Sequence, residues 1–300
     1  MCVQEQGFCI ADTLLKNVLH WSRTDFEEYD DVLVNCKDEN EVQRYLEKHG
    51  HLLPVNNWIL GHQVHCAFII SKFKFGNQFV SDFTYLTKCS DEWYVVFVEI
   101  ENPKKKIFTK DDHFTSDFNK AYEQVQDWER YLKDSNHRIQ ILNSLKHLRH
   151  PQIMLDDNVT FKYLLIYGRK DDRDKSDERR NKFLQKKTDD IRVCTFDSIK
   201  SVTTKFPDYM VLSPKGADKY EVKYVPEDFD RHDQGFFGRA KPEYIIVKGE
   251  CLEKLKQQGY EMDCWQKGTP LAINNKHPDR VCQVKCVSSL LHLFTQLSAV

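Results

Sequence analysis

The sequence predicts an α/β protein in which helices flank a mixed β-sheet, with a smaller C-terminal α+β unit. The run from Trp93 to Ile100 is apolar except for Glu99 and mostly β-branched or aromatic, which is typical of a strand buried on both faces. A second β-type run, from Asn77 to Leu86, comes before it, and a short polar link joins the two. The predicted order is a helix, three consecutive strands and another helix, with acidic residues on the last two strands. This order differs from that of a Rossmann fold.

Two carboxylates end the central strand. Glu99 and Glu101 share one face because side chains alternate along a strand, and Pro103 stops the strand just beyond them. Buried charges are costly unless they are paired or bound to a metal ion. A divalent-metal site is one interpretation, and a charged strand end that leaves the core is the other. The strand by itself leaves both open.

The preceding strand adds a third carboxylate. If the two strands form a hairpin centred between Ser90 and Asp91, Asp82 lies opposite Glu99. Side chains in such a pair lie about 5 Å apart, and like charges there repel each other. A Mg²⁺ or Mn²⁺ ion bound by both would remove the repulsion, because hard oxygen ligands suit these ions. An Asp followed by Glu-x-(Lys/Glu) on the next strand resembles the core of the PD-(D/E)XK nuclease fold.

The first part of the chain leads into this arrangement. Residues 1–34 are predicted to be an N-terminal extension, in which residues 25–31 form an acidic link. A helix is expected over residues 39–49, with Asp38 or Asn40 as its N-cap. The three strands follow this helix.

A long helix is predicted after the strands, over residues 116–133, with Ser116 as its N-cap. Its apolar residues recur at helical spacing and form one buried stripe. A strand, a helix and a strand then suggest a parallel crossover. The elements predicted in this part are a helix at 138–150, a strand at 161–169, a helical half from about residue 176 within the charged stretch 170–187, a strand at 190–197 and a helix at 198–205. They complete a unit over residues 35–206.

A second unit, an accessory α+β domain, is placed at residues 207–300, where no motif indicates chemistry. Strands are predicted at 219–224, 244–248 and 281–287, and helices at 251–258 and 288–297. Cys251, Cys264, Cys282 and Cys286 could hold a structural zinc ion. Small core residues are the favoured interpretation, because Cys282 and Cys286 share one face of a predicted strand.

Composition restricts the classes of function. The formal net charge is only −2, so a uniformly basic nucleic-acid coat is excluded, and contacts to nucleic acid must come from local lysine and arginine patches. No apolar run reaches the roughly 20 residues that span a bilayer, and the first residues have no basic stretch followed by a hydrophobic stretch, so we do not expect them to act as a secretory signal. The ten scattered cysteines favour reduced thiols and a cytoplasmic location.

Two polar residues are candidates that spacing alone supports weakly. Glu41 falls in the first turn of its helix, where a carboxylate interacts favourably with the helix dipole and needs no chemical role. Gln124 lies beside the buried stripe of its helix and could reach a site on the sheet, although such a residue is more often at the surface or in packing.

Four stretches of the sequence resemble one known family. The stretch 98–109, followed by 121–128, resembles the nuclease domain of the Shedu antiviral-defence family. The stretches 164–169 and 191–199 resemble the closing strands of the same domain, so that the resemblance covers about residues 35–205. It implies a PD-(D/E)XK fold and a metal-dependent endonuclease that hydrolyses DNA in anti-phage defence.

The resemblance also implies roles for single residues. Glu41, Asp82 and Glu99 would carry Mg²⁺ or Mn²⁺, and Gln124 would be the polar residue that a helix contributes. Glu101 departs from the common pattern, which has lysine there, and Lys106 or Lys105 is expected to reach back and replace it. Glu101 itself would bind a second metal ion or act as a general base. A homo-oligomer and a phage-derived trigger are further expectations from the family.

Three alternatives stay open from the sequence. The chain could be a nuclease-like fold that binds nucleic acid or a phage protein without cutting, an RNA-directed nuclease of the same fold, or a structural protein whose carboxylates are incidental. Substitution of Asp82 or Glu99 by alanine is expected to abolish cleavage and to leave the fold intact or slightly stabilised, because repulsion is relieved.

Overall fold

The computed structural model describes residues 19–20, 23–53, 64–76, 78–88, 92–149, 158–201, 204–205, 208–216, 218–233 and 235–271. Within these residues the chain forms a mixed eight-stranded sheet, a separate two-stranded sheet and ten α-helices. The predicted α/β class with a mixed sheet is therefore confirmed.

The helices and strands are numbered separately along the chain. The helices are α1 (Arg23–Asn35), α2 (Glu39–Lys48), α3 (Ser116–Tyr131), α4 (Ser135–Leu145), α5 (Lys170–Arg173), α6 (Asp177–Leu184), α7 (Phe229–His232), α8 (Phe236–Arg239), α9 (Gly249–Gln257) and α10 (Met262–Gln266). The strands are β1 (Leu19–His20), β2 (Phe68–Phe75), β3 (Phe79–Lys88), β4 (Trp93–Ile100), β5 (Val159–Ile166), β6 (Ile191–Cys194), β7 (Thr204–Lys205), β8 (Met210–Pro214), β9 (Tyr220–Tyr224) and β10 (Ile245–Ile246).

The main sheet has the strand order β10-β9-β8-β2-β3-β4-β5-β6. The central strands β2, β3 and β4 run antiparallel to their neighbours in sequence. On one side, β5 and β6 continue parallel to β4. On the other side, β8 lies parallel to β2, and β9 lies antiparallel to β8. The predicted parallel arrangement of the strands near 161–169 and 190–197 is thus confirmed.

The register between β3 and β4 is the one the sequence predicts. Phe83 pairs with Val98, and the next step of this antiparallel register places Asp82 opposite Glu99. Residues 89–91, where the hairpin turns, lie outside the described residues. The predicted alignment of the two carboxylates is therefore confirmed by the strand register, whereas the predicted position of the turn stays a prediction.

Aromatic packing holds α3 against the sheet. Every residue of β4 is buried, and the ring of Phe97 lies 4.7 Å from Phe75 and 6.5 Å from Trp128 on α3. The predicted apolar stripe of this helix is buried as expected: Phe118, Ala121, Tyr122, Val125, Trp128 and Leu132. Thr115, rather than Ser116, caps the helix by accepting a hydrogen bond from the Phe118 amide. This packing fixes the helix beside the ends of β3 and β4.

The N-terminal part differs from the prediction in one respect. The acidic stretch that was expected to be a link belongs to α1, whose Tyr29 is buried and donates a hydrogen bond to the Phe196 carbonyl oxygen. Tyr29 and Leu33 lie four residues apart and form the buried face, a short pattern that the surrounding acids obscure in the sequence. The predicted Asp38 cap is confirmed, since its carboxylate accepts from the Glu41 amide.

The C-terminal part contributes strands to the main sheet. Strand β8, which the sequence analysis missed, pairs in parallel with β2 and carries β9 and β10 beyond it. The residues expected to form a helix at 198–205 instead form a 3₁₀ turn (Phe196–Ser201) and β7. The strand at 281–287 and the helix at 288–297 lie outside the described residues. Sheet membership does not decide which segments fold independently, so the predicted domain boundaries stay a prediction.

Candidate metal centre

Four acidic side chains from three elements lie near one another at the end of β4. They are Glu39 at the start of α2, Asp82 on β3, and Glu99 and Glu101 on and just after β4. Glu99 interacts electrostatically with each of the other three, and we call these four residues the acidic cluster. The chain brings them together because β3 and β4 are paired and the first turn of α2 lies against the same strand ends.

Asp82 is almost completely buried, with 3% of its surface exposed. One carboxylate oxygen, Oδ2, accepts a hydrogen bond from the Ile100 amide at 2.8 Å, and Oδ1 contacts Nζ of Lys72 on β2. Burial raises the pKa of Asp82, while Lys72 and the Ile100 amide partly offset that rise. Asp82 is thus held in place by a strand on each side.

Lys72 reaches Asp82 from an unusual backbone conformation. Its φ is +52°, in the left-handed region that is uncommon for residues other than glycine, although its neighbours Ser71 and Phe73 keep regular pairing with β3. Backbone outliers of this kind persist only where the surrounding structure enforces them. The sequence analysis did not select Lys72, and the only signal was its place opposite Asp82 if β2 and β3 form a hairpin.

Glu99 has one satisfied and one unsatisfied oxygen. Its Oε1 accepts a hydrogen bond of 2.6 Å from the side-chain amide of Gln124 on α3. Its Oε2 is buried and has no hydrogen-bond donor among the residues that the structure describes. Burial, followed by the charges of Asp82, Glu39 and Glu101, raises the pKa of Glu99 well above its ordinary value. The Asp82 and Glu99 carboxyl groups are close enough to share a hydrogen bond when one is protonated.

Glu101 lies in a less buried position, with 15% of its side chain exposed. Its carboxylate accepts a hydrogen bond of 2.6 Å from Nζ of Lys105. The side chain of Lys106, which the sequence analysis favoured, is exposed, and no contact joins it to the acidic cluster in the described part of the chain. Thr115 donates a hydrogen bond to the Lys106 carbonyl oxygen, and in this loop Lys105, not Lys106, reaches the strand end.

Buried ion pairs hold the loop that carries Lys105. The Asp172 carboxylate accepts hydrogen bonds from the Ile107 and Phe108 amides at 2.7 and 3.2 Å. Arg179, only 3% exposed, binds both Asp172 and Asp112. Buried pairs with several hydrogen bonds fix geometry strongly, because removal of one partner leaves an uncompensated charge. The basic stretch around Arg179 is therefore partly structural rather than a free surface patch.

The position predicted for Glu41 is taken by Glu39. Glu41 accepts a hydrogen bond of 2.7 Å from the Lys37 amide and lines a separate cavity that includes Cys36 and Arg44. Residues two apart on a helix point about 200° apart, so Glu39 and Glu41 cannot share a face. Burial, followed by Asp82 and Glu101, raises the pKa of Glu39 from 4.5 to about 7. Asp82, Glu99, Glu101 and Gln124 do come together as the sequence analysis expected.

A known family model matches the part of the chain that contains this site. Residues 36–199, more than half of the chain, match the family model described as Shedu protein SduA, C-terminal. The chain belongs to the Shedu family. The acidic cluster of this Shedu protein, together with Lys72, Lys105 and Gln124, lies entirely within the matched region. Membership suggests a role in anti-phage defence. No curated protein matches the chain.

Two further features of this Shedu protein bear on the sequence analysis. None of the described helices has the length and apolar character needed to cross a membrane. The described cysteines are free thiols, among them Cys251 and Cys264. Cys282 and Cys286, the other two members of the possible zinc set, lie outside the described residues.

Proposed function

We propose that this Shedu protein is a metal-dependent endonuclease with a PD-(D/E)XK fold that hydrolyses DNA phosphodiester bonds in anti-phage defence. The observation that carries the proposal is the burial of Asp82 and Glu99 side by side, with Oε2 of Glu99 lacking a donor among the described residues. Burying two adjacent carboxylates is unfavourable unless a cation or a proton compensates them. A site of this kind is more readily explained by ligand binding than by packing.

The acidic cluster fits a hard divalent cation. Oxygen-only donors are the ligands preferred by Mg²⁺ and Mn²⁺, and Mg²⁺ commonly takes only one or two protein carboxylates and keeps several waters. No three carboxylates of the cluster have oxygens all within 4.8 Å of one another. We therefore assign Asp82 and Glu99 as the ligands and place Glu39, instead of Glu41, as the adjacent acid.

The chain's own residues have distinct parts in the proposed reaction. When bound, the cation would polarise the phosphoryl oxygens and lower the pKa of a coordinated water. Gln124 holds Glu99 in orientation through its 2.6 Å hydrogen bond. Glu101, held by its 2.6 Å hydrogen bond from Lys105, can accept the proton of the attacking water as a general base. Lys72, whose side chain is 43% exposed, can offset negative charge that develops on the phosphate.

DNA would be held mainly through its phosphates. Lys104, Lys105 and Lys106 follow the acidic cluster directly in the chain, and Lys104 and Lys106 are exposed. Since phosphate contacts release counterions, binding should weaken steeply as salt is added. Assembly as a homo-oligomer and activation by a phage-derived trigger are carried over from the family resemblance as part of the proposal.

A second candidate is a nuclease-fold protein that binds nucleic acid or a phage protein without cutting. Glu101 occupies the position where the common pattern has lysine, and Lys105 already neutralises it. In that case Lys105 would serve only as the structural partner of Glu101, and Lys72 only as that of Asp82.

The test is a cleavage assay on linear DNA, circular DNA and sequence-matched RNA, with Mg²⁺, with Mn²⁺ and with a chelator. The parent is compared with Glu99→Gln and with the matched control Glu123→Gln, which changes an exposed carboxylate on α3. We expect metal-dependent DNA cleavage that Glu99→Gln abolishes and Glu123→Gln preserves. Binding of DNA without cleavage would select the second candidate, and cleavage of RNA alone would replace DNA as the substrate.

A further inference from the structure

A second group of potential metal ligands contains no member of the acidic cluster. His49, His51 and Asp208 offer ligand atoms that all lie within 4.8 Å of one another, and they are the only such set of three among the described residues. Glu39 starts the ten-residue helix α2 and His49 follows its end, so about 15 Å of helix separates them. We propose that His49, His51 and Asp208 form a binding site for a first-row transition-metal ion, with Zn²⁺ the best fit.

The side chains are already arranged around one point. His51 is 3% exposed, and its Nδ1 contacts Oδ1 of Asp208, whose side chain is 24% exposed. The His49 ring lies 5.9 Å from the His51 ring at an angle of 84°. On its other side, the His49 ring packs 4.3 Å from the ring of Tyr45. Two imidazoles and one carboxylate therefore converge from α2, the turn after it and the segment before β8.

Packing next to the site holds both halves in position. The turn Gly50–Leu52 follows His49 directly, and the His49 amide is bonded to the Tyr45 carbonyl oxygen. A side chain at Gly50 would meet the Tyr209 ring at 3.0 Å and Ile69 at 3.2 Å. Glycine thus allows this turn to press against Tyr209, the residue after Asp208. The parallel pairing of β2 with β8 fixes the same contact from the sheet side.

The donor set of this site favours a different metal ion from the one that the acidic cluster favours. Zn²⁺ binds imidazole nitrogen and carboxylate oxygen at about 2.0–2.2 Å, which places the ligand atoms of a tetrahedral site roughly 3.3–3.6 Å apart. The present spacing requires only small side-chain movements to reach that geometry. Nitrogen donors favour Zn²⁺, Co²⁺ and similar ions, whereas Mg²⁺ prefers oxygen alone. A bound ion would connect the end of α2 to the start of β8.

The experiment titrates the chelator-treated full chain with Co²⁺, whose visible absorption reports inner-sphere nitrogen ligands, and then displaces it with Zn²⁺. The variants are His49→Gln and Asp208→Asn, which change residues that are not fully buried, so the fold should survive. His113→Gln, a change at an exposed histidine, is the matched control, and Asp82→Asn removes the acidic cluster as the source of the signal. Thermal unfolding with and without Zn²⁺ gives a second readout.

We expect the parent and His113→Gln to bind one more Co²⁺ than His49→Gln or Asp208→Asn. Asp82→Asn should keep the visible absorption of nitrogen-bound Co²⁺, which His49→Gln and Asp208→Asn should lose. Loss of a metal ligand should weaken Co²⁺ binding by about 100-fold or more. Removing a residue that only hydrogen-bonds to a ligand usually costs about 10–100-fold, and loss of the ligand itself should cost more. Zn²⁺ should raise the unfolding temperature of the parent and not of the two ligand variants. Equal Co²⁺ binding and absorption in the parent and His49→Gln would overturn the proposal and leave a metal-free pair of His51 and Asp208. None of these readouts depends on nuclease activity.

Discussion

Lys72 on β2 contacts Asp82 on β3, so that a positive charge meets the acidic cluster from a strand that precedes both acidic strands. In the pattern that the sequence resembles, the lysine comes two residues after the glutamate, where this chain has Glu101. The structure therefore contains two lysines at the cluster, Lys72 at Asp82 and Lys105 at Glu101, and neither occupies the usual position. Which lysine meets the phosphate can be tested.

Lys72→Met should lower the rate of DNA cleavage by about 10²–10³-fold, because one preorganised charge at the phosphate is worth that much in comparable sites. Lys106→Met is the matched control. At saturating DNA, where weaker phosphate binding no longer affects the rate, it should cut nearly as fast as the parent, since its side chain is exposed and does not contact the cluster in the described structure. Single-turnover rates at saturating Mg²⁺ are the measurement. A slow Lys106→Met with a normal Lys72→Met would restore the role that the sequence analysis gave Lys106.

Glu99→Gln and Asp82→Ala should have opposite effects on the stability of the metal-free protein, although both are expected to abolish cleavage. Glu99→Gln removes a buried charge, so the free energy of unfolding should rise at pH 7. Asp82→Ala leaves the buried Ile100 amide without its acceptor and should cost about 1–3 kcal/mol. Urea denaturation with chelator present measures both. For Asp82→Ala, the structure thus predicts a loss of stability where the sequence analysis expected the fold to be intact or slightly stabilised.

Gln124→Leu should reduce the cleavage rate and weaken Mg²⁺ binding, because Glu99 loses the hydrogen bond that orients it. The loss should be about 10–100-fold, as is usual when the partner of a metal ligand is removed. Gln126→Leu, on the same helix and without a hydrogen bond to the cluster in the described structure, is the control. Mg²⁺ dependence of the rate distinguishes the two effects. If the cleavage rate of Gln124→Leu depends on Mg²⁺ concentration in the same way as that of the parent, Gln124 does not act in the site.

The metal-free protein should lose stability as pH rises from about 4.5 to about 7. The pKa of Glu39 is 4.5 when unperturbed and about 7 in the folded chain, so between these values the folded state binds more protons than the unfolded state. The free energy of unfolding therefore falls as pH increases across this window. Glu39→Gln should make the dependence shallower than in the parent, and the raised pKa values of Glu99 and Asp82 should leave part of it. Glu41→Gln, in the same helical turn but outside the cluster, is the control. Unfolding free energies measured with chelator at several pH values provide the test.

The sequence was sufficient for the strand hairpin and its carboxylates. An apolar run that ends in Glu99 and Glu101 has one favourable register with the preceding strand, and that register alone aligns Asp82 with Glu99. The periodicity of its helix put Gln124 beside the buried stripe, but only the family resemblance gave it a place in the site. These local rules succeed where one element, or one pair of neighbours, decides the geometry.

The remaining members of the cluster depend on contacts between distant parts of the chain. Which residue of the first turn of α2 faces the strands, Glu39 or Glu41, is set by how the helix packs and not by its sequence. Lys72 requires a left-handed backbone conformation that no residue type signals in a strand. Strand β8 was missed because its apolar run is short, and short runs cannot be assigned without a partner.

The parallel pairing of β2 with β8 has a consequence for biosynthesis. One edge of β2, the strand that carries Lys72, finds its neighbour only when residues far downstream have left the ribosome. Until then its backbone amides and carbonyls are free to pair with another chain, which is how open strand edges cause aggregation. A chain truncated before Met210 would keep every residue of the proposed catalytic site, but this edge of β2 would remain unpaired. Insolubility of such a fragment would therefore reflect a missing neighbour rather than a defective active centre.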